Sequence, residues 1–186
     1  MAYQLIETEA DIMKIAVVTG NPKPASRTHG AALAVARTLS AARPGATTHP
    51  VVDLAEYAPR LFDASDAELS RLTAAVAAAD VAIFASPTYK ASYTGLLKAF
   101  LDRYGGNGLA GTLAVLVMTG GWAGHALAVE VRLRPVLAEL GATVPARGLY
   151  VTEPELTDVD AAVAGWAATA VPLIRGVLAG YEASEA

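Results

Sequence analysis

The chain contains no cysteine. That absence excludes disulfides, thiolate nucleophiles, and zinc or iron–sulfur sites built on sulfur. Histidine is scarce too. His29, His49 and His125 are scattered, and no H-x-x-x-H or H-E-x-x-H pair occurs. A metal would have to recruit distant carboxylates, so no metal site is expected. Charge is thin: 17% of residues are charged, the net charge is −4, and no block of one sign exists. This argues against nucleic acid or an anionic membrane as the main partner. Long hydrophobic runs are missing as well. The longest nearly apolar stretch, Ala161 to Ile174, is interrupted by Gly165, Thr169 and Pro172. It falls short of a bilayer span, so no transmembrane helix is expected. The N-terminus has no charged region followed by an apolar core, unlike a secretory signal. A cytoplasmic location is the expectation that follows.

What is abundant is small apolar surface. The hydrophobic fraction is 54%, much of it alanine, in 186 residues. That suits one domain with a sizeable core and close-packed, small-faced helices. Residues 1–12 read as an arm or leader, 13–180 as the domain, and 181–186 as a short frayed tail.

Apolar runs alternate with helical patterns along the chain. Strands are expected at Lys14–Thr19, Thr48–Leu54, Val81–Ala85, Thr112–Met118 and Val144–Val151. The third and fourth are apolar throughout, as parallel strands covered on both faces are. Helices are expected at Arg27–Ala42, from Asp66 onward, at Ser92–Tyr104, His125–Leu140 and Asp158–Leu178. The first shows Ala32, Val35, Ala36 and Leu39 at helical spacing and stops at Arg43-Pro44-Gly45. The second carries Leu69, Leu72, Ala75 and Val76 on one face, with Ser65 or Asp66 as its cap. The last passes through Pro172, where a bend is expected. Five strands alternating with five helices predict an α/β fold, a three-layer doubly wound sandwich. The natural strand order is the flavodoxin-like 2-1-3-4-5, which places ligands beyond the C-terminal strand ends.

Three loops at those ends are chemically rich. Gly20-Asn21-Pro22-Lys23-Pro24-Ala25-Ser26-Arg27-Thr28 gathers hydroxyls and cations at a helix N-terminus, where unpaired N–H groups suit a phosphate. It matches neither G-x-G-x-x-G nor G-x-x-x-x-G-K-[ST]. The same residues also read as an ordinary turn capped by Ser26 or Thr28. The loop Ser86–Tyr93 offers Pro87, Thr88, Tyr89, Lys90 and Tyr93. Its two tyrosines also read as packing residues. The loop Thr119–His125 offers Gly120 and Gly121 for close backbone approach, with Trp122 and His125, the latter equally a cap or packing residue. In a 2-1-3-4-5 sheet the three loops line one crevice. A planar heteroaromatic with a phosphate tail, such as FMN, would satisfy all three.

These blocks resemble the NAD(P)H-dependent FMN reductases of flavodoxin-like fold, most closely the reductase components of two-component alkanesulfonate monooxygenase systems. The resemblance runs from about Lys14 to Val151. Ser86-Pro87-Thr88-Tyr89-Lys90-Ala91-Ser92-Tyr93-Thr94-Gly95-Leu96-Leu97-Lys98 is its most specific block. Asn21 and Lys23 stand where the family usually has Ser and Arg, and Trp122 is bulkier than the usual small residue. The resemblance implies hydride transfer from NADPH or NADH to FMN N5, with reduced flavin passed to a partner flavin-dependent monooxygenase. It implies that Asn21, Lys23, Ser26, Arg27 and Thr28 hold the FMN phosphate, and that Pro87, Thr88, Tyr89 and Lys90 contact the ring. Gly120, Gly121 and His125 would complete the cofactor set. It further implies a homodimer or homotetramer. Tyr93 would be the catalytic candidate, since its counterpart lies in a π-helical insertion of helix three and is tied to flavin release. The rival within the fold is an enzyme that keeps its FMN and reduces quinones or azo dyes. A flavodoxin-type electron carrier is the rival outside catalysis, and Lys23 and Arg27 speak against it. A flavin-free interaction domain is the last alternative.

Overall fold

The computed structural model describes residues 12–185; the expected arm lies outside them except for Ile12, as does the final residue. Five parallel strands form one sheet in the order β2-β1-β3-β4-β5, as expected. They are β1 Lys14–Thr19, β2 Thr47–Asp53, β3 Val81–Pro87, β4 Leu113–Gly120 and β5 Leu149–Thr152. The helices are α1 Arg27–Ala42, α2 Ala67–Ala77, α3 Gly95–Leu101, α4 Arg134–Glu139 and α5 Val159–Glu185.

Strand alternation divides the core in two. Ile15, Val17, Val81, Ile83, Val115 and Val117 face α1 and α5, meeting Ala32, Val35, Leu39, Val163, Ala170 and Ile174. Ala16, Val18, Ala82, Phe84, Leu116 and Met118 face the other way, against Leu69, Val76, Leu97, Phe100, Leu133 and Leu137. Successive residues of a strand point to opposite faces, so strands buried on both sides must be apolar at every position. The alanines of α1 let it sit close to the sheet; Ala31, Ala32 and Ala34 are fully buried.

Several boundaries differ from the sequence expectation, each for a local reason. β3 runs two residues further, because Ser86 and Pro87 pair with Met118 and Thr119 of β4. The loop after β2 coils into a 3₁₀ helix, Leu54–Arg60, whose first turn is capped by Asp53. Asp66 caps α2, accepting from the N–H groups of Glu68 and Leu69 at 3.0 and 2.9 Å. α3 begins at Gly95 rather than Ser92. The chain first closes a tight hairpin in which Tyr89 and Ser92 exchange backbone hydrogen bonds at 2.8 and 3.1 Å, and Thr94 then caps the helix. Tyr93 therefore lies outside α3 and in no π-helical turn. It is half-buried and packs on the core from the loop.

The π-helical turn falls elsewhere. The expected helix His125–Leu140 is a 3₁₀ turn at Ala123–His125, a π-helical turn at Val129–Leu133, and then α4. Glu130 and Arg134 tie this wide turn to the segment that follows α4. The Glu130 carboxylate accepts from Arg134 Nε and from the Gly148 N–H (2.5 and 2.7 Å), while Arg134 donates to the carbonyls of Val144 and Ala146 at 2.9 and 2.8 Å. β5 starts at Leu149 instead of Val144, and upstream of it Thr143 makes a parallel bridge to Leu113.

α5 runs through Pro172 to Glu185, so the expected frayed tail from 181 continues as helix. By length and composition it is apolar enough to cross a bilayer, which the interrupted stretch in the sequence had not suggested. Here it lies beside α1, joined to it by the ion pairs Arg37–Asp160 and Arg43–Glu182 at 2.9 and 2.6 Å.

Candidate functional site

A cleft of about 310 Å³ opens at the C-terminal ends of β1, β3 and β4, at the lower end of the size range of small-molecule sites. Ten of the residues singled out from the sequence line it: Asn21, Lys23, Ser26, Arg27, Thr28, Pro87, Thr88, Tyr89, Gly120 and Gly121. Thr119, Glu153 and Leu156 line it as well. Lys90, Tyr93 and His125 do not. Lys90 sits exposed at the hairpin tip, where it and Ala91 take φ values of 51° and 61°. His125 packs edge-on against Trp122, with ring centroids 4.9 Å apart.

The first wall is the loop after β1. Its entry is fixed by close contact. A Cβ on Gly20 would overlap Leu97 Cβ and lie 2.9 Å from Leu97 Cα, so glycine is required for α3 to approach. The Gly20 carbonyl accepts from the Thr94 hydroxyl and its N–H donates to the Ala85 carbonyl at 2.8 Å. Asn21 then folds the loop inward. Its Oδ1 accepts from the Lys23 N–H at 2.9 Å, and its Nδ2 donates to Thr28 Oγ1 at 3.2 Å. Asp53, at the end of β2, accepts from the Ala25 N–H at 2.9 Å and supports Ala25 at φ 47°. Ser26 is the N-cap of α1, accepting from the His29 N–H at 3.2 Å. The capped-turn reading is realised in Ser26. Ser26 closes the helix start, while Lys23 and Arg27 stand exposed around it.

The floor is polar and buried. Thr28 Oγ1 and Thr119 Oγ1 are 2.7 Å apart, and both residues are almost fully buried. The second wall is the end of β3 and the hairpin beyond it. The Thr88 N–H donates to the Thr119 carbonyl at 2.7 Å, but Thr88 Oγ1 is buried without a hydrogen-bond partner. An orphaned buried hydroxyl is costly unless something meets it. The third wall is the end of β4. A Cβ on Gly120 would overlap the Tyr150 hydroxyl oxygen, with Tyr150 Cζ at 3.0 Å and Thr88 Cβ at 3.3 Å. Tyr150 is in turn held by donating from Oη to the Trp122 carbonyl at 3.0 Å.

Glu153 closes the rim. Its N–H donates to the Gly120 carbonyl at 3.0 Å, and its carboxylate pairs with Arg27 at 2.5 Å across the cleft. The turn that presents it is tied by Thr152, whose N–H and hydroxyl both donate to the Glu155 carboxylate at 2.8 and 2.6 Å. Those two bonds, the hydroxyl's foremost, hold the Glu155 pKa below its usual value. Glu153 and Leu156 escaped the sequence reading because they follow β5, whereas the glycine and hydroxyl signals lie after β1, β3 and β4. Thr119 was seen only as the start of its loop.

This donor set fits a flavin mononucleotide. The end of the cleft at α1 offers two cations, a threonine hydroxyl and a helix N-terminus, the chemistry of a phosphate site. Thr88 supplies an unpartnered hydroxyl, and Gly121, whose nearest neighbour to a Cβ would be a Glu153 carboxylate oxygen at 3.8 Å, leaves its backbone open on the opposite wall.

Comparison with known proteins agrees. Residues 13–155 match the family model described as NADPH-dependent FMN reductase. Over 146 residues the chain is 35% identical to the NADH-dependent FMN reductase SfnF of Pseudomonas putida, covering 76% of this chain and 78% of that protein. It is 37% identical to the FMN reductase (NADPH) of Escherichia coli K12, over 48% of this chain and 47% of the relative's length. Among solved structures, the apo form of the NADH:FMN oxidoreductase EmoB superposes with a TM-score of 0.72 at 30% identity, over 83% of this chain and 88% of that one. With its flavodoxin-like sheet and this cleft, the chain belongs to the NADPH-dependent FMN reductase family.

Proposed function

We propose that this NAD(P)H-dependent FMN reductase treats FMN as an exchanging substrate and supplies reduced flavin to a separate flavin-dependent monooxygenase in the cytoplasm, working as a homodimer or homotetramer. The observation that carries the exchange reading is the exposure of the phosphate end. Lys23 is exposed and the Arg27 side chain keeps 65% of its surface accessible, so the anchoring charges stay in water, where each contributes little.

In this reading Lys23, Arg27, Thr28 and the first N–H groups of α1 hold the flavin phosphate. Asn21 holds Thr28 and the loop in place rather than reaching the ligand. Pro87, Thr88 and Tyr89 form the ring wall, with the Thr88 hydroxyl as a donor. The Gly121 N–H would serve the pyrimidine end, where negative charge grows on reduction. Bound FMN supplies the hydride acceptor for the nicotinamide, and the protein supplies position and electrostatics. No lining side chain is needed as acid or base. Tyr89, 52% exposed at the rim, would stack on an incoming nicotinamide or flavin.

The test is purified protein with NADH or NADPH, titrated with FMN, following nicotinamide oxidation at 340 nm under air. A rate that saturates in FMN, from protein that elutes flavin-free, is expected. Protein that elutes with stoichiometric flavin, and turns over only when a quinone is added, would overturn the exchange reading.

A further inference from the structure

We infer that Glu153 is an internal competitor for the flavin phosphate: its carboxylate occupies the Arg27 guanidinium across the cleft and thereby sets how weakly a phosphorylated flavin is held. The inference rests on the flavin reading above and names a residue that the reading does not need.

The geometry is specific. Arg27 is the first residue of α1 and Glu153 follows β5, 126 positions later, yet their side chains meet at 2.5 Å on opposite sides of one cleft. Among the described residues that line the cleft, Glu153 is the only carboxylate, and Lys23 and Arg27 are the only cations. One oxygen of Glu153 binds Arg27. The other lies 3.8 Å from where a Cβ on Gly121 would stand, so the carboxylate that pairs with Arg27 lies beside the third wall. Its backbone is anchored by the bond to Gly120, and the Thr152–Glu155 turn holds the segment from the other side. The backbone that carries the carboxylate is therefore fixed at the rim.

A flavin phosphate binding at the α1 terminus must share Arg27 with this carboxylate or displace it, and in either case it approaches a like charge. Riboflavin, which has the same ring and no phosphate, meets no such opposition. The carboxylate thus taxes the phosphorylated ligand selectively, which is what a reductase that hands its flavin on requires. The pair is more than half exposed, so the effect is modest. Removing the charge is expected to tighten FMN about three- to tenfold at low salt, and less as ionic strength rises.

The experiment is equilibrium titration of FMN and of riboflavin, read by flavin fluorescence, on wild type, Glu153→Gln, Arg27→Gln, the double variant, and Lys23→Ala. The expected result is tighter FMN and unchanged riboflavin for Glu153→Gln, with the gain reduced in the Arg27→Gln background. An FMN Kd that is unchanged or weaker in Glu153→Gln overturns the inference, as does an equal gain for riboflavin. A gain undiminished in the Arg27→Gln background also overturns it, because Arg27 is then not the contested group. If neither Arg27→Gln nor Lys23→Ala weakens FMN, the phosphate-site reading itself falls, an outcome distinct from a response to the cations without one to Glu153.

Discussion

Gly120→Ala is the sharpest perturbation the cleft permits. The added methyl would overlap the Tyr150 hydroxyl oxygen and sit 3.0 Å from Tyr150 Cζ. Comfortable separation is about 3.5–4.0 Å for carbon pairs, and the overlapping hydroxyl oxygen has further to move than Cζ, so the ring must retreat by roughly 1 Å or more. Retreat strains packing by about 1–3 kcal/mol. It also breaks the bond from Tyr150 Oη to the Trp122 carbonyl, worth about 1 kcal/mol. The sum, roughly 2–4 kcal/mol, lowers Tm by roughly 5–15 °C in a domain of this size. Tyr150→Phe alone removes the hydrogen bond and costs about 1 kcal/mol. It also removes the overlapping oxygen, so the double variant Gly120→Ala/Tyr150→Phe should be more stable than the sum of the single losses by about 1–2 kcal/mol. Calorimetric unfolding of the four proteins measures this coupling. Additivity within about 0.5 kcal/mol would refute the reasoning, for it would mean that Tyr150 moves freely and that Gly120 is not there to admit it.

Three further outcomes are expected. Thr88→Val removes a buried hydroxyl that has no partner; stability should hold or rise slightly, while FMN affinity falls by roughly fivefold, the effect of one lost neutral hydrogen bond, and flavin titration with a melting curve reads both signs. Asp66→Ala deletes the cap that accepts from Glu68 and Leu69, and should cost about 1–2 kcal/mol in denaturant unfolding, with Asp66→Asn recovering most of it. Burial of the Glu130 carboxylate opposes its ionisation, but the Arg134 guanidinium and the Gly148 N–H outweigh burial and hold its pKa below the ordinary value. A depressed folded-state pKa adds stability above the unfolded-state value of about 4.3, and that stability is lost as pH falls below it. Glu130→Gln should therefore be destabilised at pH 7 and lose less stability than wild type between neutral pH and the acid range.

The fold was legible because its central strands β1, β3 and β4 are buried on both faces. Val81-Ala82-Ile83-Phe84-Ala85 has no polar position, and such a run between helical patterns has few other places to go. The cleft was legible for a related reason: glycines and hydroxyls collect where three adjacent strands end. The failures share a cause, long-range partners that periodicity does not register. Nothing in the spacing of Glu130 and Arg134 marks the Val144–Gly148 backbone they bind, the π turn they sit in or the late start of β5. Lys90 and Ala91 carry none of the glycine or asparagine that marks a positive-φ hairpin, so the sequence pattern starts α3 too early and puts Tyr93 within it. Glu153 had no local signal at all, since its meaning comes from Arg27.

The bonds from Gly20 N–H to the Ala85 carbonyl, from Thr88 N–H to the Thr119 carbonyl and from Glu153 N–H to the Gly120 carbonyl run from main chain to main chain. They stitch the three walls and the rim to one another without using a side chain. The frame of the pocket is therefore indifferent to much of its own lining: residues such as Lys23, Tyr89 or Glu153 can be exchanged while the cavity keeps its shape. A scaffold built this way lets selection, or an engineer, retune which flavin is held and for how long by single substitutions, without first having to rebuild the place where it sits.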